Sequence, residues 1–139
     1  MRFIYLALLL AATLCAAPSF AGEVRPYTDP LPLGNYVDDV DDLLARAYGY
    51  DGWRDNGRTD DGARLAFISY KGFDLTVRIE VENNNLSMRL VSVFETGCGD
   101  NCTHLGEKDV IQWIVNLRRT IAFVFTQDVR DSMRDQLGQ

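Results

Sequence analysis

The sequence predicts an α+β fold: an N-terminal helix, a three- to four-stranded antiparallel meander, and a long C-terminal helix packed on one sheet face. Apolar residues recur every three or four positions over residues 37–47 and again over 109–125, which is typical of amphipathic helices. Between these segments the apolar period becomes two, which is typical of strands with one buried face. Helices on either side of a run of strands form a two-layer domain.

The C-terminal helix is predicted over Asp109 to Phe125. Its apolar residues share one helical face, namely Val110, Trp113, Ile114, Leu117, Ile121 and Val124. We expect Trp113 at the centre of the core, because it shares this face with aliphatic residues. The predicted core residues are Trp53, Val77, Ile79, Trp113, Leu117 and Ile121.

The first helix is predicted to begin at Asn35, a favourable N-cap residue, and to end at Gly49. An acidic cluster lies in its first turns, comprising Asp38, Asp39, Asp41 and Asp42. Carboxylates can bind Ca²⁺, but the alternating spacing of a calcium loop is missing. We therefore interpret the cluster as a solvated face at the positive end of the helix dipole, with Asp42 spaced to pair with Arg46.

Three to four strands are predicted: a weak, polar candidate over Trp53–Thr59, followed by Ala63–Lys71, Asp74–Glu82 and Leu86–Glu95. The third has the clearest pattern, because apolar residues at 75, 77, 79 and 81 alternate with polar ones. Short, turn-prone segments at residues 71–73 and 83–85 separate the later strands. Such connections favour antiparallel pairing of neighbours along the chain.

The first 21 residues have the order of a secretory signal peptide, with Arg2, an apolar run and small residues ending at Ala21. We expect cleavage near Ala21 and a periplasmic or secreted protein. An uncleaved anchor is one alternative, and lipidation of Cys15 is another, although Leu14 stands where that signal needs a small residue. The predicted divisions are a signal over 1–21, an extended Pro-containing leader over 22–35, one domain over 36–126, and a polar helical extension over 127–139.

The net charge and the absence of enzyme motifs restrict the classes of function that the sequence favours. Removing Arg2 from the 14 basic residues leaves 13 against 20 acidic ones, a net charge of −7, which disfavours nucleic-acid partners. Motifs of nucleophilic hydrolases, zinc proteases, phosphate-binding loops and dinucleotide-binding folds are missing from the sequence. We therefore predict no catalytic residue, no cofactor and no enzyme activity.

Two cysteines remain after removal of the signal. Cys98 and Cys102 lie close together in an exported chain, which favours a disulfide that holds the turn before the last helix. With His104 they could instead bind a metal, but the spacing differs from C-x-x-C and no second pair is present. Redox chemistry is the third interpretation.

One combination of residues resembles a family of small bacterial envelope proteins, many of them lipoproteins, whose activity is not established. The resemblance depends on Gly52, Trp53, Gly62, Ala66, Val77, Ile79, residues 87–90, Ser92, the run Trp113-Ile114-Val115-Asn116-Leu117, and Ile121. It implies the same α+β fold and no catalytic residues. The chain departs from the family at Val110, where a tyrosine is usual, and at the poorly placed Cys15.

Two functions are consistent with these patterns. The first is a non-enzymatic, exported protein-interaction or envelope accessory domain with an unknown protein partner. The alternative is a metal- or redox-active factor that uses Cys98, Cys102 and His104. The C-terminal helix also has apolar residues beyond its core stripe, namely Ile111, Val115, Phe123 and Phe125, which predict a homodimer. A membrane tether is not expected.

Overall fold

The computed structural model of the protein describes residues 30–97 and 106–138. Its elements are β1 (Leu31–Pro32), α1 (Val40–Asp51), β2 (Arg54–Arg58), β3 (Arg64–Tyr70), β4 (Phe73–Glu82), β5 (Asn85–Glu95) and α2 (Glu107–Leu137). The strands form one antiparallel sheet in the order β1-β5-β4-β3-β2. The predicted α+β class is confirmed, whereas the predicted strand number was wrong, because the sheet has five strands.

Tight turns fix the register of the meander. β3 and β4 are joined by Lys71 and Gly72, whose φ values are 50° and 82°, and β4 and β5 are joined by Asn83 and Asn84, at 50° and 59°. Positive φ at both turn residues is typical of the type I′ turn, whose twist matches that of the strands it joins. Register is therefore set locally, and it places Leu75 opposite Ile68 on one side and opposite Val93 on the other.

The end of the predicted leader belongs to the sheet. Leu31 and Pro32 pair with Leu86 and Asn85, and the Leu33 N–H donates to the Asn84 carbonyl at 2.7 Å. Leu33 is only 2% exposed and is part of the core. The prediction of an extended leader up to residue 35 was therefore wrong at its C-terminal end. The sequence did not reveal this strand, because two residues show no periodicity and an edge strand tolerates proline.

The first helix begins and ends later than predicted. Its N-cap is Asp39, whose Oδ1 accepts from the N–H groups of Asp41 and Asp42 at 2.8 and 3.1 Å. Asn35, predicted as the cap, instead accepts a hydrogen bond from Asn84. The helix continues through Gly49 and ends where Gly52 takes the left-handed conformation that closes a helix C-terminus.

One face of the sheet carries the core. Along β4 the residues Phe73, Leu75, Val77 and Ile79 are buried, and α2 covers them with Val110, Ile114, Leu117, Ile121 and Val124. Leu43, Leu44 and Ala47 of α1 and the side chain of Trp53 join this cluster. Trp113, predicted at the centre, is only half-buried and packs at the edge of the core. The buried residues of α2 follow a helical face that lies beside Trp113 and does not include it.

The C-terminal helix is longer than the sheet it covers. Its 31 residues span about 46 Å, against about 36 Å for the 11 residues of β5. Arg46 of α1 holds the two helices together with paired hydrogen bonds of 2.7 Å to both carboxylate oxygens of Asp128, and with one of 2.9 Å to Asp42. Neither described helix has a segment long and apolar enough to span a bilayer.

Replacing Leu117 with Ala should lower the free energy of unfolding by about 2–5 kcal/mol, because the residue is fully buried between α2 and the sheet. Urea denaturation monitored by circular dichroism measures this loss. Arg119→Ala, two residues along on the exposed side of the same helix, serves as the control and should change stability by less than about 0.5 kcal/mol. Equal effects of the two substitutions would contradict this placement of α2.

Candidate binding surfaces

The predicted cysteine site lies outside the described residues. Cys98, Cys102 and His104 all fall in the gap between residues 97 and 106. Within the two described segments, no three metal-ligating side chains come together. The disulfide, and the metal and redox alternatives to it, therefore stay predictions, as do the signal peptide and the state of Cys15.

An aromatic cleft opens where the end of α1 meets β3 and the first half of α2. It has a volume of about 270 Å³ and is lined by Asp51, Trp53, Ile68, Tyr70, Trp113 and Asn116. The left-handed Gly52 turns the chain sharply after α1 and so brings Asp51 and Trp53 to the same place. Trp113 and Asn116 are three residues apart on α2 and therefore share a helical face.

Three aromatic rings from different parts of the chain border this cleft. Tyr70 and Trp113 meet edge to face, with ring centroids 5.3 Å apart and planes at 83°. Trp53 contributes a largely buried indole, 5% exposed. The Nζ atom of Lys71 lies 5.2 Å from the centroid of the Tyr70 ring, a distance at which an ammonium is attracted to the ring face. The walls of the cleft are thus mainly aromatic.

Two polar side chains complete the cleft. The Thr120 hydroxyl donates to Oδ2 of Asp51, and Nε2 of Gln112 donates to Oδ1 of Asn116 at 2.9 Å. These bonds fix both side chains and leave Asp51 with a second carboxylate oxygen and Asn116 with its amide N–H groups. Neither of these remaining groups has a hydrogen-bond partner among the described residues. These two side chains therefore offer one carboxylate acceptor and one amide donor group to a ligand, in addition to the Tyr70 hydroxyl.

A second cleft, of about 550 Å³, lies between α1 and β2. Its charged residues are largely paired with one another, because Arg58 and Arg64 both donate to Asp41. The hydrogen bond from Arg64, together with the charges of both arginines, lowers the pKa of Asp41 below its ordinary value. Burial raises the pKa of the neighbouring Tyr48 phenol above its ordinary value. We interpret these contacts as a clamp that holds β2 against α1.

The sheet face opposite the helices carries a charged network. Arg78 donates to Asp61 and to Glu80, and Arg89 donates to the other oxygen of Glu80. Hydrogen bonds from Arg89 and then Arg78 lower the pKa of Glu80, and the hydrogen bond from Arg78 lowers that of Asp61. Arg78 and Arg89 lie directly opposite each other on β4 and β5, and Glu80 offsets their like charges by accepting from both. Such a charged network suits a solvated sheet surface.

The edge of β5 is mostly uncovered. β1 pairs only with Asn85 and Leu86, so residues 87–95 have no partner strand on this side within the described chain. Val91 is an extra residue in the pairing with β4 and is 54% exposed, and Phe94 is 63% exposed. The opposite edge strand, β2, is short, polar and irregular in register. Such features protect sheet edges from pairing with other chains, and β5 has few of them.

The apolar residues behind the homodimer prediction differ in exposure. Phe123 is 50% exposed and meets Tyr50 edge to face, with centroids 5.9 Å apart. Phe125 packs against the core, and Ile111 and Val115 are half-buried. Of these four residues, only Phe123 is a large exposed apolar group, and the homodimer stays a prediction.

Sequence reasoning did not find most of these surface residues. The aromatic cleft depends on Asp51, Tyr70 and Asn116, which are distant along the chain and carry no shared motif. One signal was available, because the Trp113 to Asn116 spacing places both side chains on one helical face. The open edge of β5 depends on how few residues β1 contributes, which periodicity does not reveal.

No protein-family model matches the chain, and neither a curated protein nor a solved structure shows significant similarity to it. The chemistry of the described surfaces is therefore the basis for assigning a function.

Replacing Asp41 with Asn should lower the free energy of unfolding at neutral pH by up to about 1 kcal/mol, since the carboxylate is half exposed and screened by water. A carboxylate with a lowered folded-state pKa stabilises the fold above its ordinary pKa, and this contribution disappears as the pH falls through the folded value. Parent and variant should therefore become equally stable in strongly acidic buffer.

Urea denaturation across this pH range makes the comparison. Asp60→Asn removes the same charge from an exposed turn residue and is the matched control. A stability difference for Asp41→Asn that persisted unchanged into acid would contradict the proposed ion-pair clamp between α1 and β2.

Proposed function

We propose that the protein is an exported, non-enzymatic interaction domain that binds an extended segment of a partner protein along the open edge of β5. The observation that carries this proposal is the incomplete pairing of β5, where residues 87–95 have no partner strand on one side among the described residues. Nine residues span about 30 Å, which is long enough for an added strand. Addition of a strand to an exposed sheet edge is a recurring mode of peptide recognition.

The backbone geometry of β5 suits this mode. Glu82 and Asn85 flank a two-residue turn and so form a hydrogen-bonded pair, after which the N–H groups alternate between the two sides of the strand. By this alternation the N–H and C=O groups of Leu86, Met88 and Leu90 are directed away from β4. Those of Leu86 are taken by Leu31 of β1. Met88 and Leu90 are therefore the first residues available to an added strand.

The side chains at this edge favour a protein partner. Val91 and Phe94 are exposed apolar residues on a strand that bears few charges. Asp74 lies opposite Phe94 across the β4/β5 pair, and its buried Oδ1 has no hydrogen-bond partner among the described residues. Exposed apolar side chains beside an open strand edge are typical of a surface that a protein partner covers.

The cellular setting of this proposal comes from the sequence. The signal-peptide pattern of residues 1–21 and the resemblance to small envelope proteins support a partner in the periplasm or outside the cell. The acidic net charge makes a nucleic acid an unfavourable partner. The same edge can also pair with a second copy of the chain. This pairing would form the predicted homodimer through β5 instead of through the phenylalanines of α2.

A photoreactive phenylalanine analogue at position 94 should cross-link the partner in the envelope of the native host, because Phe94 is exposed beside the open edge. Adding Val91→Lys should reduce this adduct at least several-fold, because a lysine on an edge strand opposes strand addition. The adducts are measured by denaturing gel and identified by mass spectrometry. An adduct of twice the chain mass would identify a second copy as the partner.

The opposite sheet edge supplies the controls. The same analogue at Asn56 of β2 should give no adduct, and Asn56→Lys should leave the adduct from position 94 unchanged, although it adds the same charge. Absence of any adduct from position 94, or equal adducts from the two edges, would contradict the proposed use of β5.

A further inference from the structure

We propose that the aromatic cleft binds a methylated ammonium group, such as the trimethylammonium group of choline. Its structural basis is the convergence of Trp53, Tyr70 and Trp113 with the carboxylate of Asp51 in a single cleft. This site lies on a part of the fold that is distinct from the edge of β5, and it does not depend on the function proposed for that edge.

The arrangement of the rings favours a cation. An aromatic face is negatively polarised and attracts cations that lie within about 6 Å of the ring centroid. Tyr70 and Trp113 stand nearly perpendicular, at 83°, so their rings form two walls of a corner rather than a flat stack. Lys71 places its own ammonium 5.2 Å from the Tyr70 centroid. A cation is thus already held against one ring of this cluster.

Charge complementarity comes from Asp51. Its Oδ2 is held by the Thr120 hydroxyl, which orients the carboxylate and leaves Oδ1 without a partner among the described residues. Asp51 is exposed, and its carboxylate adds charge attraction for a cation to the attraction of the neighbouring aromatic faces. The net charge of the whole chain, −6, further favours approach of a cation.

The number of acceptors favours a methylated amine over a primary one. A primary ammonium has three N–H donors and is strongly hydrated, whereas the side chains lining the cleft offer one free carboxylate oxygen. A quaternary ammonium has no N–H donor to satisfy and can contact the rings through its methyl groups. The remaining donor, the amide of Asn116, is then available to an oxygen on the rest of the ligand.

The volume of the cleft limits the size of the ligand group. About 270 Å³ is slightly below the roughly 300–1,000 Å³ typical of sites that enclose a whole small molecule. One compact headgroup therefore fits, with the remainder of the ligand extending into solvent. The walls come from α1, β3 and α2, which are tied together by the core, so the site is largely pre-formed.

Titration with choline chloride tests this proposal on the whole exported chain. The chain contains two tryptophans, and both line the cleft, so intrinsic fluorescence reports directly on its occupation. Choline should give a saturable change at constant ionic strength. Its uncharged carbon isostere, dimethylbutanol, should bind at least roughly tenfold more weakly, because it lacks the charge that the rings and Asp51 attract.

Two variants separate a specific site from a general charge effect. Asp51→Asn should weaken choline binding about fivefold to tenfold while keeping an acceptor for Thr120. Asp60→Asn, with the same change in net charge at an exposed turn, should leave binding unchanged. Isothermal titration calorimetry provides a second readout of both variants.

A lack of saturable binding, equal affinity for choline and its isostere, or equal effects of the two variants would overturn the proposal. Val91→Lys on the edge of β5 should not alter choline binding. Loss of cross-linking at β5 and loss of choline binding are therefore independent results.

Discussion

Burial of the inner face of β4 is the constraint on which the other elements depend. Phe73, Leu75, Val77 and Ile79 present one continuous apolar face at a period of two, and a helix can cover such a face only with a stripe at a period near 3.6. The α2 stripe from Val110 to Val124 meets this requirement. Because the buried residues of α2 follow one helical face, the residues beside that face come to lie at the rim. Trp113 is one of them, and its half-buried position is what lets it line a cleft.

The helices cover only one face of the sheet. The other face is exposed to water and carries charged side chains. The network of Asp61, Arg78, Glu80 and Arg89 joins the turn between β2 and β3 to β4 and β5. Further along β5, beyond Arg89, the exposed residues include the apolar Val91 and Phe94. The outer face therefore has a polar region that discourages association and an apolar region at the open edge that favours it.

Elements with a repeated local pattern could be predicted from the sequence, and those formed by distant contacts could not. The alternation over residues 74–82 and the stripe over 109–125 identified β4 and α2, because each repeats its period several times. β1 has two residues and therefore no period. Asp39 and Asn35 are both good N-cap residues, so the local sequence does not decide between them, and the structure has Asp39 as the cap. The aromatic cleft joins positions 51 to 116, so no short window of sequence contains it.

The order of the strands has a consequence for the way the chain reaches this structure. β2 to β5 are neighbours in both sequence and space and are linked by tight turns, so most of the sheet can form from local contacts, which is a feature of fast folding. α2, which covers the apolar face, comes last along the chain. While the chain is being synthesised, the nascent meander therefore exposes that face until the C-terminal helix has been made and has packed against it. For this chain, the risk of aggregation is concentrated in the interval between synthesis of Glu95 and docking of α2.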